Sequence, residues 1–133
     1  MTPELLNANP TPLAKLLGIA VTAAGPDGVT AEMVVRGDLC TMGGICHGGA
    51  LMSLADNTGA IATFINLPEG ASGTTTIESK TNLVGAAKAG STVVARATPV
   101  HVGGTTQVWQ TRIETVEGRL VCLTTQTQMV LRR

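Results

Sequence analysis

The chain is 133 residues long, enough for one domain with a moderate core and too short for two of ordinary size. Nine basic side chains balance nine acidic ones, and Phe64 and Trp109 are the two aromatics, so neither a phosphate-neutralising face nor a base-stacking platform exists and nucleic acid is excluded as a partner. The three cysteines, Cys40, Cys46 and Cys122, are odd in number and form no CxxC pair, as expected of reduced packing thiols in a cytoplasmic protein rather than of a disulfide framework.

The first stretch, "MTPELLNANPTPLAKLLGIA", has no basic segment followed by an apolar run and is interrupted by Pro3, Pro10 and Pro12, so it does not read as a signal peptide. A short helix is expected over Pro12 to Leu17, with Thr11 as its cap and Pro12 at its first position. "GIAVTAA" and "VTAEMVV" flank the turn signal "GPDG", which predicts a hairpin over residues 18 to 36. A glycine-containing loop then leads to His47.

From Gly48 to about Ile65, Leu51, Leu54, Thr58, Ile61 and Ile65 recur at spacings of three and four, the stripe of an amphipathic helix. The stretch approaches membrane-spanning length, but Asp56, Asn57 and three Ser or Thr residues are costly in hydrocarbon, so a buried helix is expected and no membrane partner. Asp56 lies about 200° round the helix from Leu54, which points it away from the stripe, alongside Met52, Gly59, Ala60 and Thr63. "GTTTIESKTNLV", "STVVARATPVHV", "TTQVWQTRIETV" and "LVCLTTQTQMVL" are four strand-length runs rich in Thr and Val, separated by "GAAKAG", "GG" and "EGR". The order β-β-α-β-β-β-β, with its last three strands as an antiparallel meander, predicts an α+β fold whose long helix lies along one face of a six-stranded sheet.

Among candidate motifs, Cys46-His47 is a poor thiol-imidazole pair, because sequence neighbours at a loop-to-helix junction point apart. His47, His101, Cys46 and the carboxylates show no metal-ligand spacing, so no metal is expected. "GGICHGG" matches neither GxxxxGK[ST] nor GxGxxG, and no nucleotide cofactor is expected. What stands out is Gly48-Gly49 opening a helix, followed by Asp56, the one charged residue between Leu39 and Pro68. First-turn N–H groups lack intrahelical partners and carry the positive end of the helix dipole, so they can polarise a carbonyl oxygen, and glycine lets a substrate approach. A carboxylate two turns further on can act as nucleophile or as base for water. The residues alone equally allow a structural reading, in which the glycines permit tight packing and Asp56 pairs with an arginine.

"HGGALMSLADNTGAIA" resembles the signature of hotdog-fold acyl-CoA thioesterases of the PaaI-like, phenylacetate-degradation type, in which HGG opens a long central helix and an acidic residue follows nine positions after the histidine; Asp56 stands at that spacing from His47. "GAAKAG" is similar to the family's "PAKLG" turn, and the strand order over most of the chain is similar to its layout. The resemblance implies one hotdog domain over residues 1–133, a six-stranded antiparallel sheet wrapped around the helix, and hydrolysis of an aryl or medium-chain acyl-CoA without a cofactor. It implies that Asp56 is the nucleophile or general base, that the Gly48 N–H binds the thioester oxygen, that His47 shapes the turn, and that Thr76 orients the attacking water. It further implies a site shared between two chains, hence an obligatory homodimer, with a homotetramer common. Thr41 stands where many members carry an Asn that contacts the acid or the water, and Ala86 replaces the turn proline.

Gly49, Ala60 and Thr63, with Met52 and Phe64, are the candidate pocket residues, and Lys88 or the terminal Arg132 and Arg133 are candidates for the CoA phosphates. Two readings compete with hydrolysis. A hotdog hydroxyacyl dehydratase needs a His and a carboxylate converging on substrate, and the spacing for that is absent. A non-catalytic acyl-CoA-binding module is the reading that Thr41 favours.

Overall fold

The computed structural model describes residues 1–133. Two short helices open the chain, α1 (Pro3–Ala8) and α2 (Pro12–Leu17), and both start on a Thr-Pro pair. The Thr2 and Thr11 hydroxyls accept from the Leu5 and Ala14 N–H groups, and the following proline fills the first helical position, where no N–H is needed. α2 is the helix expected from the sequence and α1 is additional, although the same two-residue signal precedes each. Gly18 ends α2 with φ 70°, a left-handed conformation that a side chain would disfavour.

Six strands follow: β1 (Ala20–Gly25), β2 (Gly28–Val34), β3 (Gly73–Leu83), β4 (Thr92–Val102), β5 (Thr106–Thr115) and β6 (Leu120–Leu131). They form one antiparallel sheet in the order β1-β2-β4-β5-β6-β3. β4, β5 and β6 are the expected meander, and β3 reaches the sheet only by pairing with β6. The outer edge of β1 is covered by Asn7 of α1, whose amide accepts from the Val21 N–H and donates to the Val21 carbonyl, both at 2.8 Å. A side-chain amide thus stands in for a neighbouring strand. β3, the other edge, is mostly exposed and has no such cover.

The long helix α3 (Gly48–Ile65) crosses the inner face of this sheet, the hotdog arrangement of a sheet curled around one central helix. Leu51, Leu54, Ala55, Thr58 and Ala62 are buried beneath it. The expected open face of small residues is corrected at two positions, because Gly59 and Thr63 are buried. Gly59 has no side chain to hold β6 off, and the Gln126 amide occupies the space a Cβ would take. Thr63 is 0 % exposed and turns its hydroxyl back onto the Gly59 carbonyl at 2.9 Å.

A bulge at Ile77 sets the aim of β3. The register with β6 runs Thr76↔Gln128 and then Glu78↔Thr127, so one residue of β3 is skipped. Side chains alternate along a strand, and an extra residue switches the parity. Before the bulge Thr76 turns toward α3, where it meets Asp56; after it Thr81 turns the same way, against Thr124 at 2.7 Å.

Candidate active site

The N-terminus of α3 is built by His47 as its cap. The His47 Nδ1 accepts the Gly49 N–H at 2.9 Å, and the His47 carbonyl accepts from Ala50 and Leu51 at 3.0 and 3.2 Å. The ring proton is therefore on Nε2, and the Gly49 donor is consumed within the chain. The Gly48 N–H makes no hydrogen bond within the chain and remains a first-turn donor with the helix dipole behind it. A Cβ at Gly48 would lie 2.8 Å from Leu83 Cδ1, so glycine here also lets β3 close on the helix start.

The loop before the helix is tied to the "GAAKAG" turn by Cys46 N–H to Ala87 O at 2.8 Å and Ala89 N–H to Gly44 O at 2.9 Å. This pairing sets exposed Lys88 opposite Ile45, three residues before the helix. The Arg119 guanidinium donates to the Ala86 carbonyl in the same turn. Arg132 is at the far end of β6, on the carbonyls of Glu69 and Gly104. Thr41 is exposed, its backbone engaged by Ile45 and Gly44 and its hydroxyl without a partner. The Cys46 thiol is buried and turned onto the His47 carbonyl, 3.8 Å away, so no thiol-imidazole pair forms. Burial pushes the Cys46 and Cys122 thiols up to about 11, in keeping with inert packing residues.

Asp56 sits two turns along α3 and is exposed. One of its oxygens, Oδ1, accepts from the Thr76 hydroxyl at 3.2 Å and from Gln126 Nε2 at 3.1 Å. No arginine or lysine approaches it, since the ion pairs of the molecule are Arg36–Asp38, Arg96–Glu114 and Arg112–Glu114. Within the chain, then, Asp56 has no arginine partner. Thr76 in turn accepts from Gln128 Nε2 at 2.7 Å, and the Gln128 carbonyl is 3.0 Å from the Thr74 hydroxyl. Thr76 thus spends its one proton on Asp56, leaving a single lone pair of its oxygen for any water.

A cavity of about 500 Å³ opens between the N-terminal helices and α3, walled by Leu5, Leu6, Val21, Ile61 and Phe64 with Asn57 at its polar side. A smaller recess holds Asp56, Ser53 and Ala60 and shares Asn57 and Thr11 with the larger cavity. Ala60 lines the recess that holds Asp56, Phe64 lines the neighbouring larger cavity, and Thr63 is buried away from both. The chain brings Asp56 and Thr76 together, and separately gathers Thr41, His47, Gly48, Gly49 and Lys88 at the start of α3. Eight residues at 1.5 Å each separate Asp56 from Gly48, roughly 12 Å along the axis.

Three partners of this site carry no signal in the sequence: Gln126, Gln128 and Thr74. In "LTTQTQMV" the residues facing inward and outward are both polar, so alternation carries no sign of which side is buried.

Comparison with known proteins agrees with this architecture. Residues 43–122 match the family model of the thioesterase superfamily, a span that includes the whole of α3 and the glycines before it. The 1,4-dihydroxy-2-naphthoyl-CoA hydrolase of Escherichia coli is 33 % identical over 98 % of this chain and 96 % of its own length. The crystal structure of a thioesterase from Haemophilus influenzae superposes with a TM-score of 0.90 at 32 % identity, covering 99 % of this chain and 92 % of that one. The PaaI protein of the Escherichia coli phenylacetic acid degradation operon gives 0.86 at 25 % identity, over 96 % and 89 % of the two chains. A lone helix carboxylate, a glycine-opened helix and a curled antiparallel sheet are thus found in a chain that belongs to the hotdog thioesterase superfamily.

Proposed function

We propose that this protein hydrolyses an acyl-CoA thioester, with Asp56 as the nucleophile or general base and the Gly48 N–H as the donor to the thioester oxygen. The observation that carries the reading is the state of Asp56: a carboxylate on an otherwise uncharged helix, held by two neutral donors and neutralised by no cation. A carboxylate kept for stability is more commonly ion-paired or fully solvated.

The roughly 12 Å between Asp56 and Gly48 means that one thioester carbonyl cannot meet both groups of the same chain. Two copies with their α3 helices antiparallel bring the acid of one to the helix start of the other, and the uncovered β3 edge offers a surface for that pairing. The homodimer is accordingly the catalytic unit. The thioester oxygen accepts from Gly48 while one of two routes runs. In one, Asp56 takes a proton from the attacking water and returns it to the CoA sulfur as the carbon–sulfur bond breaks. In the other, Asp56 attacks the carbonyl carbon, expels CoA thiolate and forms a mixed anhydride that water then hydrolyses, its proton ending on CoA. Either way one water is consumed, and the acid and the CoA thiol are the products. Lys88, exposed near the helix start, is the residue proposed to meet the CoA phosphates; Arg132 lies at the far end of β6. The apolar cavity beside Asp56 suits an aromatic or medium-chain acyl group, of which the naphthoyl ester of the Escherichia coli relative is an aromatic case.

A panel of aromatic, branched, short and long acyl-CoAs scored by thiol release tests the reading, with Asp56→Asn as its control. Binding without release on every ester would establish the alternative, an acyl-CoA-binding module, which the unpartnered Thr41 hydroxyl favours. A dehydratase is disfavoured because the His47 Nδ1 is engaged by the Gly49 N–H as the cap of the helix.

A further inference from the structure

The hydrogen bonds around Asp56 have a direction. Gln128 donates to Thr76 and Thr76 donates to Asp56 Oδ1, while the single proton of the Thr74 hydroxyl lies between the Met129 carbonyl at 2.9 Å and Gln128 Oε1 at 3.0 Å. Gln126 reaches the same oxygen from the other side, with a second, longer contact of 3.4 Å from its Nε2 to the Asp56 carbonyl. Each donor dipole in the series points toward the carboxylate, and chained hydrogen bonds of this kind strengthen one another. All of them end on Oδ1, whereas Oδ2 accepts nothing within the chain.

Gln126 is 1 % exposed, and its Oε1 is buried without any donor. Turning the amide over would satisfy no one, since it would set a carbonyl oxygen against an anionic carboxylate. The orientation is therefore fixed by Asp56, and the buried carbonyl is left unpaired as its consequence. Such an arrangement works against stability, and an apolar side chain of the same size would fill the site without an unpaired acceptor. Gly59 is the other half of the device, because any side chain there would overlap the Gln126 carbonyl.

We propose that Gln126, seated against Gly59, is a positioning residue that anchors Oδ1 of Asp56 together with Thr76, and thereby makes Oδ2 the oxygen that meets the thioester carbon or the attacking water. The inference rests on Asp56 being the catalytic carboxylate. It predicts that the amide contributes to turnover and detracts from stability, a pair of signs that a packing residue does not have.

The test uses the full chain and the best acyl-CoA of the panel. Gln126→Met keeps the length of the side chain and removes the donor, and should lower kcat about tenfold, the value of one hydrogen bond to a charged group. KM should stay within twofold, and the melting temperature should be unchanged or higher. Gly59→Ala, which displaces the amide while favouring the helix, should lower kcat similarly. On an Asp56→Asn background, Gln126→Met should cause no further loss, because the residue acts only through that carboxylate. A Gln126→Met enzyme with wild-type kcat and a reduced melting temperature would make Gln126 a packing residue and overturn the proposal, as would a further tenfold loss on the Asp56→Asn background. Wild-type turnover by Asp56→Asn itself would instead remove the catalytic reading beneath it, so the two failures are distinguishable.

Discussion

The two ends of the space between α3 and the sheet are filled differently. Under the first half of the helix the core is aliphatic: Leu51, Leu54 and Ala55 pack with Met33, Val35, Val93, Ile113 and Val121. Under the second half the buried set turns polar, with Thr58, Thr63, Gln107, Thr111, Gln126 and Gln128 around Trp109. Some of this polarity is self-contained: the Trp109 indole donates to Gln107, and Gln107 donates to the Asn66 carbonyl at the end of α3. Thr58 and Thr63 turn their hydroxyls back onto the Leu54 and Gly59 carbonyls of α3, Gln126 and Gln128 are organised around Asp56, and Thr111 Oγ1 and Gln126 Oε1 are left unpaired. The aliphatic end holds the fold together, and the polar end holds a carboxylate in place at some expense in stability.

Truncation at the aliphatic end should give the largest effect. Leu54 is 0 % exposed at the centre of that cluster, so Leu54→Ala removes buried methyl groups and leaves a cavity that the close-packed neighbours cannot fill. A loss of about 3 kcal/mol is expected, measured by urea unfolding. If Leu54→Ala instead lowered kcat with stability retained, the division of labour between the two ends would be wrong.

Asp56→Asn probes the other end. The amide keeps the size of the carboxylate and can still accept from Thr76 and Gln126, so the fold should survive with its melting temperature little changed. The rate should fall roughly 10²-fold or more, equivalent to about 2.7 kcal/mol of barrier, while the acyl-CoA still binds. Retained turnover would reduce the polar end to an accident of packing.

Thr111→Val tests whether that end really detracts from stability. Its hydroxyl is buried and unpartnered, and valine has nearly the same shape without the oxygen. Removing an unpaired polar atom should stabilise the protein by about 1 kcal/mol, with turnover unchanged because Thr111 makes no hydrogen bond to the Asp56 network. A destabilised variant would mean that an ordered water satisfies the hydroxyl.

The sequence was informative where physics makes one residue type serve one purpose. Pro12 after Thr11 marked a helix start, the period of Leu51, Leu54 and Thr58 marked α3, and each of the four strand runs from β3 to β6 lies within a residue or two of its segment. Asp56 was visible because charge is rare around it, and His47 because it precedes two glycines. Gln126 and Gln128 were not visible, because burial of a glutamine depends on a partner from a distant element, here an aspartate 70 positions away. Thr63 was misplaced for a related reason. Helical geometry gives the direction of a side chain, but whether that direction is open depends on how far the sheet curls, and the missing side chain of Gly59 lets β6 close over it. The first helix shows only its start signal, Thr2-Pro3, the same as Thr11-Pro12, since six residues with no buried side chain display no apolar period.

The smallest effect is expected from the cysteines, and it should be absent at neutral pH. Cys46 and Cys122 both belong to the aliphatic end, where burial is the main cause that raises their thiols to about 11 from the usual 9.0. Below pH 9 the thiols are protonated in both the folded and the unfolded chain, and no dependence arises. Between about 9 and 11 the unfolded chain releases thiol protons that the folded chain still holds, so the unfolded state binds fewer protons and stability falls as the pH rises. The lysines and arginines also titrate at high pH, but they do so equally in a variant that lacks a thiol. The difference between wild type and Cys122→Val should therefore isolate the thiol: the gap in urea midpoint should be constant from pH 7 to 8.5 and should then move in favour of the variant up to pH 10.5. In native protein at pH 8, a thiol reagent should label the half-exposed Cys40 well before the other two. Rapid labelling of all three would show that the aliphatic end opens readily, and that the contrast between the two ends lies in composition alone.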